Sequence, residues 1–571
     1  MNKLANIDIV IFVIYFIIVA SYGYWIYRRK KKQVTNTHDF FLAEGSLTWW
    51  AIGASLIASN ISAEQFIGMS GNGYDIGIAV AAYEWIAAIA LIIVAVWFMP
   101  VYLKNKIFTM PQFLKDRYND TVALIMAIFW LFLYVFVNLT SILYLGAIAI
   151  NSLVGGTDNQ FHIIIIALSI FAVFITLGGM KVIGFTDVIQ VSVLIIGGLA
   201  TTYVALTVVS KAFGMGENAL AGFNQLLKSA PDHFHMIFAK PDANSTPHQI
   251  SNYLTIPGIL SYVAGIWIVN LNYWGCNQYI TQRALGADLP TARKGILFAG
   301  FLKLLMPLIV MLPGIAAFVL HQKGMVQAEM LVHSKHGEVV PDNAYSAILG
   351  YLPNGLIGLS LAALTAAIVA SLAGKANSIS TIFTLDVYKK YINKEATETK
   401  MVWIGRVTIL AALFFSILLT WKDALNIGGT GGFTYIQKYT GFISPGVFAM
   451  FLLGMFWKRT TGPAAVAGVI VGFGLSVFFN ELAPRIFGNN TWFYTAYYNT
   501  GDGKYEIPFH ICMGLAFMFT MAIMILISLA GPRINPKAFV LDKSMFKVSP
   551  GILTMIVITL LIISALYIRF W

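Results

Sequence analysis

Four polar side chains fall within six residues of a largely apolar stretch, GASLIASNISAEQFIGMSGNGYDIG, which runs from Gly53 to Gly77. They are Asn60, Ser62, Glu64 and Gln65. Amide, hydroxyl and carboxylate groups can bind a polar solute or a cation, and none of them is stable against lipid. Together with the four glycines that follow, they predict a helix that breaks at membrane depth, where irregular backbone must be buried in protein or line a watery cavity. The stretch therefore predicts a binding site; a polar helix end at the membrane interface is the alternative.

The composition indicates an all-α polytopic membrane protein. The 571 residues have a mean hydropathy of +0.75 and only 11% are charged, whereas about a quarter of residues are charged in soluble domains. The two cysteines, Cys276 and Cys512, both lie in apolar segments, so we expect neither a disulfide framework nor a metal-ligand spacing. Bases between membrane spans, facing anionic lipid, explain the net charge of +12 without a nucleic-acid partner.

About fourteen apolar segments are long enough to cross a bilayer. The approximate spans are 7–27, 48–70, 78–103, 121–151, 160–178, 186–209, 256–280, 295–320, 356–381, 402–421, 437–457, 462–481, 509–530 and 551–570. Most Lys and Arg residues fall in loops on the same side as the run from Arg28 to Lys32. These loops are cytoplasmic by the positive-inside rule, so both termini of this cell-membrane protein are expected outside.

A second apolar segment carries a similar interruption. The stretch Ala264 to Tyr279 reads AGIWIVNLNYWGCNQY and contains Asn270, Asn272, Asn277 and Gln278. It is the fifth span after the first interrupted one, so the two occupy matching positions in consecutive five-helix units of opposite orientation. Paired broken helices in inverted repeats are typical of secondary transporters that bind their substrate near the membrane midplane.

Three further polar residues lie inside predicted spans, namely Glu84, Lys303 and Gln437. A charge at the centre of a membrane helix costs roughly 2.5 to 3.5 kcal/mol, so the two charged residues are expected to face a partner or a wet cavity. Snorkelling to the cytoplasmic face is the alternative for Lys303. A hydrogen bond between helices would account equally well for Gln437.

Eight motifs are similar to those of the sodium:solute symporter family. In chain order they are GASLIASNISAEQFIGMSG, YEWIAAIALIIV, FVNLTSILYLG, FTDVIQV, NYWGCNQYITQR, FLKLLMPLIVMLPGIAA, TIFTLDVYK and YIQKYTGFISPG. They cover residues from about 40 to 460 and most resemble the bacterial branch that carries galactose or glucose. Motifs of this length and order are specific for the family and less specific for the sugar.

The resemblance implies a LeuT-type fold, with one helix before two inverted five-helix repeats and three helices after them. The corresponding segments are 1–47 (first helix and basic linker), 48–209 (first repeat), 210–255 (outer loop), 256–457 (second repeat) and 458–571 (final three helices).

The resemblance also implies the residues of a hexose site and its gates. The sugar ligands would be Asn60, Gln65, Glu84, Asn270, Lys303 and Gln437, whose donors and acceptors suit sugar hydroxyls. Tyr273, beside Trp274, would be the inner gate that stacks on the ring, and Met69, Tyr83 and Phe433 would form the outer lid.

The implied sodium site lies between the first broken helix and a later span. Its ligands would be the backbone carbonyls of Ala58, Ile61 and Ala367 with the hydroxyl of Ser371, and Asp187 would lie on the inward exit path of the ion.

Three positions depart from the family pattern. Ala370 replaces the second hydroxyl of the sodium site, and Ala87 replaces a serine near the sugar, which weakens the case for galactose specifically. Lys375 lies one helical turn after Ser371, on its cytoplasmic side. We hypothesise that Lys375 pairs with Asp187 and competes with sodium; a lysine that snorkels without affecting the ion is the alternative.

The sequence thus predicts a non-enzymatic symporter that couples sodium ion entry to uptake of a monosaccharide, a hexose such as galactose or glucose, by alternating access. A sodium-independent or proton-coupled sugar carrier remains open, with Lys375 as its supporting feature, as does a family member for another polyol-like solute. A membrane sensor would need a fused signalling domain, for which the short inner loops leave no room. No segment resembles the selectivity filter of a channel.

Overall fold

The computed structural model describes residues 5–30, 47–154, 158–176, 180–331, 338–421, 432–501 and 503–571. These residues are mostly helical. The α-helices are Asn6–Lys30, Trp49–Asn60, Ser70–Asp75, Ala82–Ile93, Met99–Lys104, Met110–Arg117, Asp120–Phe132, Thr140–Val154, Asp158–Thr176, Met180–Ala212, Ala219–Ser229, Pro247–Thr255, Ile266–Leu271, Gln278–Leu285, Leu289–Gln322, Gln327–Met330, Ala344–Leu349, Leu356–Thr381, Glu398–Thr420, Gly432–Phe456, Gly462–Val477, Ala483–Phe487, Phe509–Leu529 and Pro550–Phe570.

Wider and tighter helical turns join several of these helices. The π-helical segments are Glu64–Met69, Val94–Phe98, Leu133–Leu139, Ser261–Gly265, Asn272–Cys276, Ile382–Ile392 and Phe478–Leu482. The 3₁₀ turns are Ile78–Ala81, Pro231–Phe234, Pro341–Asn343 and Lys543–Phe546. Strands Tyr497–Asn499 and Lys504–Glu506 pair antiparallel as a hairpin. π-Helical turns are frequent at functional sites, and two of these segments belong to the stretches that the sequence marks as interrupted.

Twelve helical stretches in the described ranges are long and apolar enough to span a membrane. The sequence predicted about fourteen, and the two without such a continuous helix are the interrupted segments 48–70 and 256–280. In the first, the helix Trp49–Asn60 ends before a π-helical turn. In the second, short helical pieces end at Cys276 and resume at Gln278. The chain is therefore a multi-pass helical membrane protein that contains two broken helices.

The chain divides into two compact units. The first unit comprises Met1–Ile78, Ala127–Phe234 and Gln282–Ile436, and the second comprises Ala79–Met126, His235–Thr281 and Gln437–Trp571.

In the first unit, glycines let two helices approach closely. A Cβ on Gly53 would lie 2.6 Å from the Phe298 ring, and one on Gly295 would lie 2.8 Å from the Trp49 carbonyl oxygen. Small residues at such contacts replace the hydrophobic driving force that is absent between helices in lipid. This contact fixes the helix Trp49–Asn60 against the helix Leu289–Gln322.

In the second unit, a fully buried arginine closes the end of a helix. The guanidinium of Arg117 donates to the carbonyl oxygens of Gly454 (2.6 Å), Thr460 (3.0 Å) and Trp457 (3.0 Å). The last carbonyls of a helix have no amide partner within it, and a cation is favoured at that negative end of the helix dipole. Arg117 therefore anchors the carboxyl end of the helix Gly432–Phe456.

A buried carboxylate on the first helix caps another helix in the first unit. Asp8 is fully buried, and its Oδ1 accepts the backbone amides of Gly355 (2.7 Å) and Gly358 (2.8 Å). These amides belong to the start of the helix Leu356–Thr381, which no side chain of its own caps. A carboxylate at a helix N-terminus satisfies unbonded amides and complements the dipole. Asp8 thus ties the first helix to the helix that carries Ser371.

We expect Asp8→Ala to lower the free energy of unfolding by about 1 to 2 kcal/mol, the usual cost of a lost helix cap. Asp8→Asn is the matched control: it keeps an acceptor oxygen at the same place and should cost less. Thermal unfolding of the detergent-solubilised full chain measures both. An asparagine variant as unstable as the alanine variant would contradict the capping role.

Candidate functional site

The first broken helix is interrupted where the sequence predicts. The helix Trp49–Asn60 ends at Ile61, whose backbone is extended (φ −79°, ψ 115°). Helical structure resumes with the π-helical segment Glu64–Met69. The predicted break is therefore confirmed, and it lies among buried residues rather than at an exposed helix end.

The break redirects three of the four amides that would otherwise bond carbonyls 58 to 61. In a continuous helix the Ser62 amide would bond the Ala58 carbonyl, but it donates to Gln65 Oε1 at 3.0 Å. The Gln65 amide would bond the Ile61 carbonyl, but it donates to the Ser62 carbonyl at 3.1 Å. The Glu64 amide donates to Ser62 Oγ at 3.2 Å. The carbonyls of Ala58 and Ile61 thus lose their regular helical donors, which leaves oxygen atoms suited to a hard cation.

Ser62 and Gln65 form a reciprocal cap at the restart of the helix. The side chain of Gln65 accepts the Ser62 amide, and the side chain of Ser62 accepts the Glu64 amide two residues on. These bonds resemble a capping box, except that the Ser62 side chain accepts the amide two residues on instead of three. They explain how a broken helix is stable at this depth.

The helix Leu356–Thr381 contacts the break through a hydroxyl. Ser371 Oγ donates to the Ser59 carbonyl at 2.7 Å, so one more carbonyl of the break is satisfied from outside the helix. Ala367 lies one turn before Ser371 on the same helix, and the intervening Ala370 is buried with no side-chain oxygen. The structure therefore brings Ala58, Ile61, Ala367 and Ser371 onto two segments that touch.

Two proposed solute ligands are bonded to each other in the first unit. Lys303 Nζ donates to Asn60 Oδ1, and the lysine is 1% exposed. Asn60 is the last residue of the helix before the break, and Lys303 lies in the helix Leu289–Gln322. Snorkelling of Lys303 to the cytoplasmic face is therefore wrong, because its ammonium group lies at the break.

Asp187 lies in a buried network that includes Ser55, about one turn before the helix break. Its Oδ2 accepts the Ser55 hydroxyl at 2.5 Å and lies 3.9 Å from the guanidinium of Arg283. Arg283 Nε also donates to the Ser55 carbonyl (3.1 Å) and hydroxyl (2.9 Å). Both charged side chains are 1% exposed, so the carboxylate is held close to a cation away from water.

Lys375 does not pair with Asp187, and that hypothesis is wrong. Its Nζ lies 3.8 Å from Glu64 Oε1 in a buried ion pair. A lysine side chain on a helix leans toward the N-terminus of that helix, which here carries the ammonium toward the break rather than toward the C-terminal end of the helix. Asp187 has Arg283 as its counter-ion instead.

In the second unit, the second broken helix is interrupted at Asn277, whose backbone is extended (φ −96°, ψ 122°). Before it, the rings of Tyr273 and Trp274 meet edge to face with centroids 5.3 Å apart, and Trp274 is buried. Asn272 Nδ2 donates to Ser444 Oγ at 3.1 Å, and Asn270 Nδ2 donates to the Ile266 carbonyl at 2.9 Å. The predicted second break is confirmed. Asn272 bonds a side chain of the helix Gly432–Phe456, and Asn270 bonds a backbone carbonyl of its own helix.

The other predicted residues of the second unit lie on two helices. Glu84 is buried in the first turn of the helix Ala82–Ile93. Beside it, the hydroxyl of Tyr83 lies 2.8 Å from Nε2 of the fully buried His510. Gln437 is half-buried in the helix Gly432–Phe456. His510 could not be identified from the sequence, because its apolar surroundings indicate only a membrane helix.

Two members of the predicted outer lid lie together in the first unit. Met69 and Phe433 are buried. A Cβ on Gly68 would lie 2.6 Å from Phe433 Cβ, so the π-helical segment and the start of the helix Gly432–Phe456 are in close contact. Only a glycine permits this approach.

The chemistry of the first unit suits an alkali-metal cation. No group of three or more His, Cys, Asp or Glu among the described residues could hold a metal ion. Carbonyl and hydroxyl oxygens are the available ligands at the break, and hard cations prefer such oxygens. Arg283 and Ser55 were not identified from the sequence, although a base that directly follows the second interruption was a readable signal.

Comparisons with known proteins agree with this picture. The model of the "Sodium:solute symporter family" matches residues 40–472. The chain is 41% identical to the sodium/glucose cotransporter of Vibrio parahaemolyticus over 585 aligned residues, which covers 100% of this chain and 99% of that protein. It is 33% identical to human sodium/myo-inositol cotransporter 2, with 81% of this chain and 68% of that protein covered. Sodium/glucose cotransporter 1 of sheep is 32% identical, with coverages of 83% and 72%.

A solved structure shares the fold. The substrate-bound, outward-open state of a sodium-coupled sialic acid symporter matches with a TM-score of 0.74 at 19% identity and covers 93% of this chain and 99% of that chain. This likeness shows that the chain shares the LeuT-type fold of that symporter, while the count of fourteen spans and the repeat layout stay predictions.

We expect Arg283→Met to lower the free energy of unfolding by about 3 kcal/mol, because it leaves the buried Asp187 carboxylate without its cation. The double variant Asp187→Asn, Arg283→Met should recover most of this loss, since no charge is then left unpaired. Thermal unfolding in detergent measures the set. If Arg283→Met were as stable as the unmodified chain, Arg283 would not stabilise the buried carboxylate of Asp187.

Proposed function

The chain belongs to the sodium:solute symporter family, and from this we propose that it couples sodium entry to the uptake of a monosaccharide, a hexose such as galactose or glucose, by alternating access. Sodium-coupled solute symport follows from family membership, so the protein is a transporter of the cell membrane and not an enzyme. Our proposal concerns the identity of the solute as a hexose, the residues that bind the solute and the sodium ion, and the alternating-access cycle.

The redirected amides at the first break are the observation that carries this proposal. The carbonyls of Ala58, Asn60 and Ile61 lose their helical donors, and the Ser371 hydroxyl reaches the neighbouring Ser59 carbonyl from another helix. We assign the sodium ligands as the carbonyls of Ala58, Ile61 and Ala367 with the Ser371 hydroxyl. Sodium bound there would hold the broken helix to the helix Leu356–Thr381.

Asp187 is proposed to lie on the inward exit path of the ion. Its carboxylate attracts a cation, while Arg283 and Ser55 limit how strongly it can hold one. A site that binds an ion weakly suits passage rather than retention.

The sugar ligands are proposed from the family resemblance, separately for each unit. In the first unit they are Asn60, Gln65 and Lys303, and in the second they are Glu84, Asn270 and Gln437. The bond between Lys303 and Asn60 supports the first set, because a donor and an acceptor that satisfy each other can exchange that bond for sugar hydroxyls. A site built to bond given hydroxyls rejects solutes that lack them.

Aromatic and apolar side chains are proposed as the gates. Met69, Phe433 and Tyr83 would close the outer side over the sugar, and Tyr273 with Trp274 would close the inner side. Flat rings cover the apolar face of a sugar and exclude water. Sodium binding would favour the outward-open state, and its release inward would loosen Tyr273. A membrane potential supplies about 2.3 kcal/mol per charge per 100 mV for accumulation with one ion.

The arrangement of the helices is part of the proposal. We propose two inverted five-helix repeats, at 48–209 and 256–457, with the segment 1–47 before them, the loop 210–255 between them and the segment 458–571 after them. Both termini would face outside, since this places most bases in the cytoplasm.

A polyol is the second candidate solute. Ala87 is buried on the helix that carries Glu84 and lacks the serine hydroxyl of the galactose-carrying pattern. The sodium/myo-inositol cotransporters are also similar to this chain. A cyclic polyol presents the same kind of hydroxyl ring to the proposed ligands.

We expect proteoliposomes containing the chain to accumulate radiolabelled glucose or galactose under an inward sodium gradient, and not under a proton gradient or without a gradient. Competition by myo-inositol tests the second candidate. Lys303→Met should lose sugar uptake, since it removes a proposed sugar ligand and leaves the neutral Asn60 behind. Equal uptake under all three conditions would overturn sodium coupling of the sugar.

We expect Ala370→Ser to lower the sodium concentration for half-maximal uptake by about tenfold, or 1.4 kcal/mol, because it supplies a second hydroxyl ligand. Ser371→Ala should raise that concentration. Ala362→Ser, the same change two turns earlier on the helix Leu356–Thr381, is the matched control and should have no effect. An equal response to both serine variants would contradict the assigned site.

A further inference from the structure

The ion pair between Glu64 and Lys375 lies beside the proposed sodium site. Glu64 follows Ile61 by three residues, and Lys375 follows Ser371 by one turn of the helix Leu356–Thr381. Glu64 is 8% exposed and Lys375 is 4% exposed. The pair therefore joins the two segments that sodium would also join, and it does so with a cation that is covalently attached to the protein.

The carboxylate of Glu64 is incompletely satisfied. Its Oε1 is buried, accepts no hydrogen bond from the described residues and lies 3.8 Å from the ammonium of Lys375. That separation is longer than a hydrogen bond. A buried carboxylate oxygen without a donor is costly, and a closer cation would relieve that cost. Glu64 Oε1 can therefore act as a cation ligand, and the ammonium of Lys375 lies too far away to donate a hydrogen bond to it.

We propose that the Glu64 carboxylate is a second cation site in the first unit and that the Lys375 ammonium is its tethered occupant. The ammonium neutralises the carboxylate, so one transported sodium adds a single positive charge to this region. Removing the ammonium leaves a buried anion next to backbone oxygens, which are the ligands that sodium prefers. The chain would then bind one more sodium ion. Only the identity of the first ion rests on the proposed function.

The direct test is equilibrium binding of radioactive sodium to the purified full-length protein in detergent. Lys375→Ala removes the ammonium and opens room for an ion, and it should bind one more sodium per protein than the unmodified chain. Lys375→Arg, which keeps a cation at this position, should bind the unmodified number. The gain should disappear in the double variant Glu64→Gln, Lys375→Ala.

Two outcomes would overturn the proposal. One is a Lys375→Ala variant that binds no additional sodium, and the other is a gain that persists after Glu64→Gln. The quantity compared is the number of sodium ions bound per protein in the variant and in the unmodified chain. An unmodified chain that binds no sodium would therefore count against the proposed function and leave this comparison intact.

Thermal stability provides a second measurement if Lys375→Ala is poorly folded at low salt. Sodium or methylammonium chloride should raise the Tm of Lys375→Ala, because either cation replaces the missing ammonium. N-methylglucamine chloride at equal ionic strength is the control, since its cation is too large for the vacated position. The double variant should show no rise with methylammonium, and with sodium only the rise that the unmodified chain shows. A Tm of Lys375→Ala that responds equally to all three salts would contradict a cation site at Glu64.

Discussion

The backbone of a membrane protein must find hydrogen-bond partners within the protein, and the first broken helix satisfies this requirement only in part. The carbonyls of Ala58, Asn60 and Ile61 lose the amides that a continuous helix would provide. Ser62 and Gln65 satisfy the amides of the restarting helix, and the Ser371 hydroxyl satisfies one carbonyl. The remaining oxygens make this region attractive to a cation. The position of the helix Leu356–Thr381, and with it Asp8, follows from the need to complete this break.

The charges around the break follow the same rule. In the first unit Asp187 lies close to Arg283, and Glu64 lies close to Lys375. Lys303 donates a hydrogen bond to the side-chain oxygen of Asn60. Each charged group is buried, and each has a partner from a different segment of the chain. Such pairs contribute little net stability compared with apolar packing, because desolvation offsets their attraction. Their value here is that a transported cation or a polar solute can exchange with one of the partners, which an apolar contact would not permit.

Both broken helices could be predicted from the sequence, because clustered Asn, Ser, Glu and Gln are incompatible with lipid. The partner of Lys375 could not be predicted from spacing alone, since a side chain of this length reaches either way and its direction depends on helix lean. His510 and Asp8 were missed because each bonds a residue hundreds of positions away, and the division of the chain into two units is likewise a property of distant contacts.

The cap on the helix Leu356–Thr381 joins Asp8, which is synthesised early, to a helix that is synthesised much later. Asp8 enters the membrane with the first helix, whereas Gly355 is 347 residues away. At roughly 5 to 20 residues per second, about 17 to 70 seconds separate the two during translation. A carboxylate in the bilayer without its final partners must be protonated, hydrated or held by the insertion machinery during that interval. The first helix therefore inserts before the partners of its buried carboxylate exist, and the first unit is completed only when its third segment emerges.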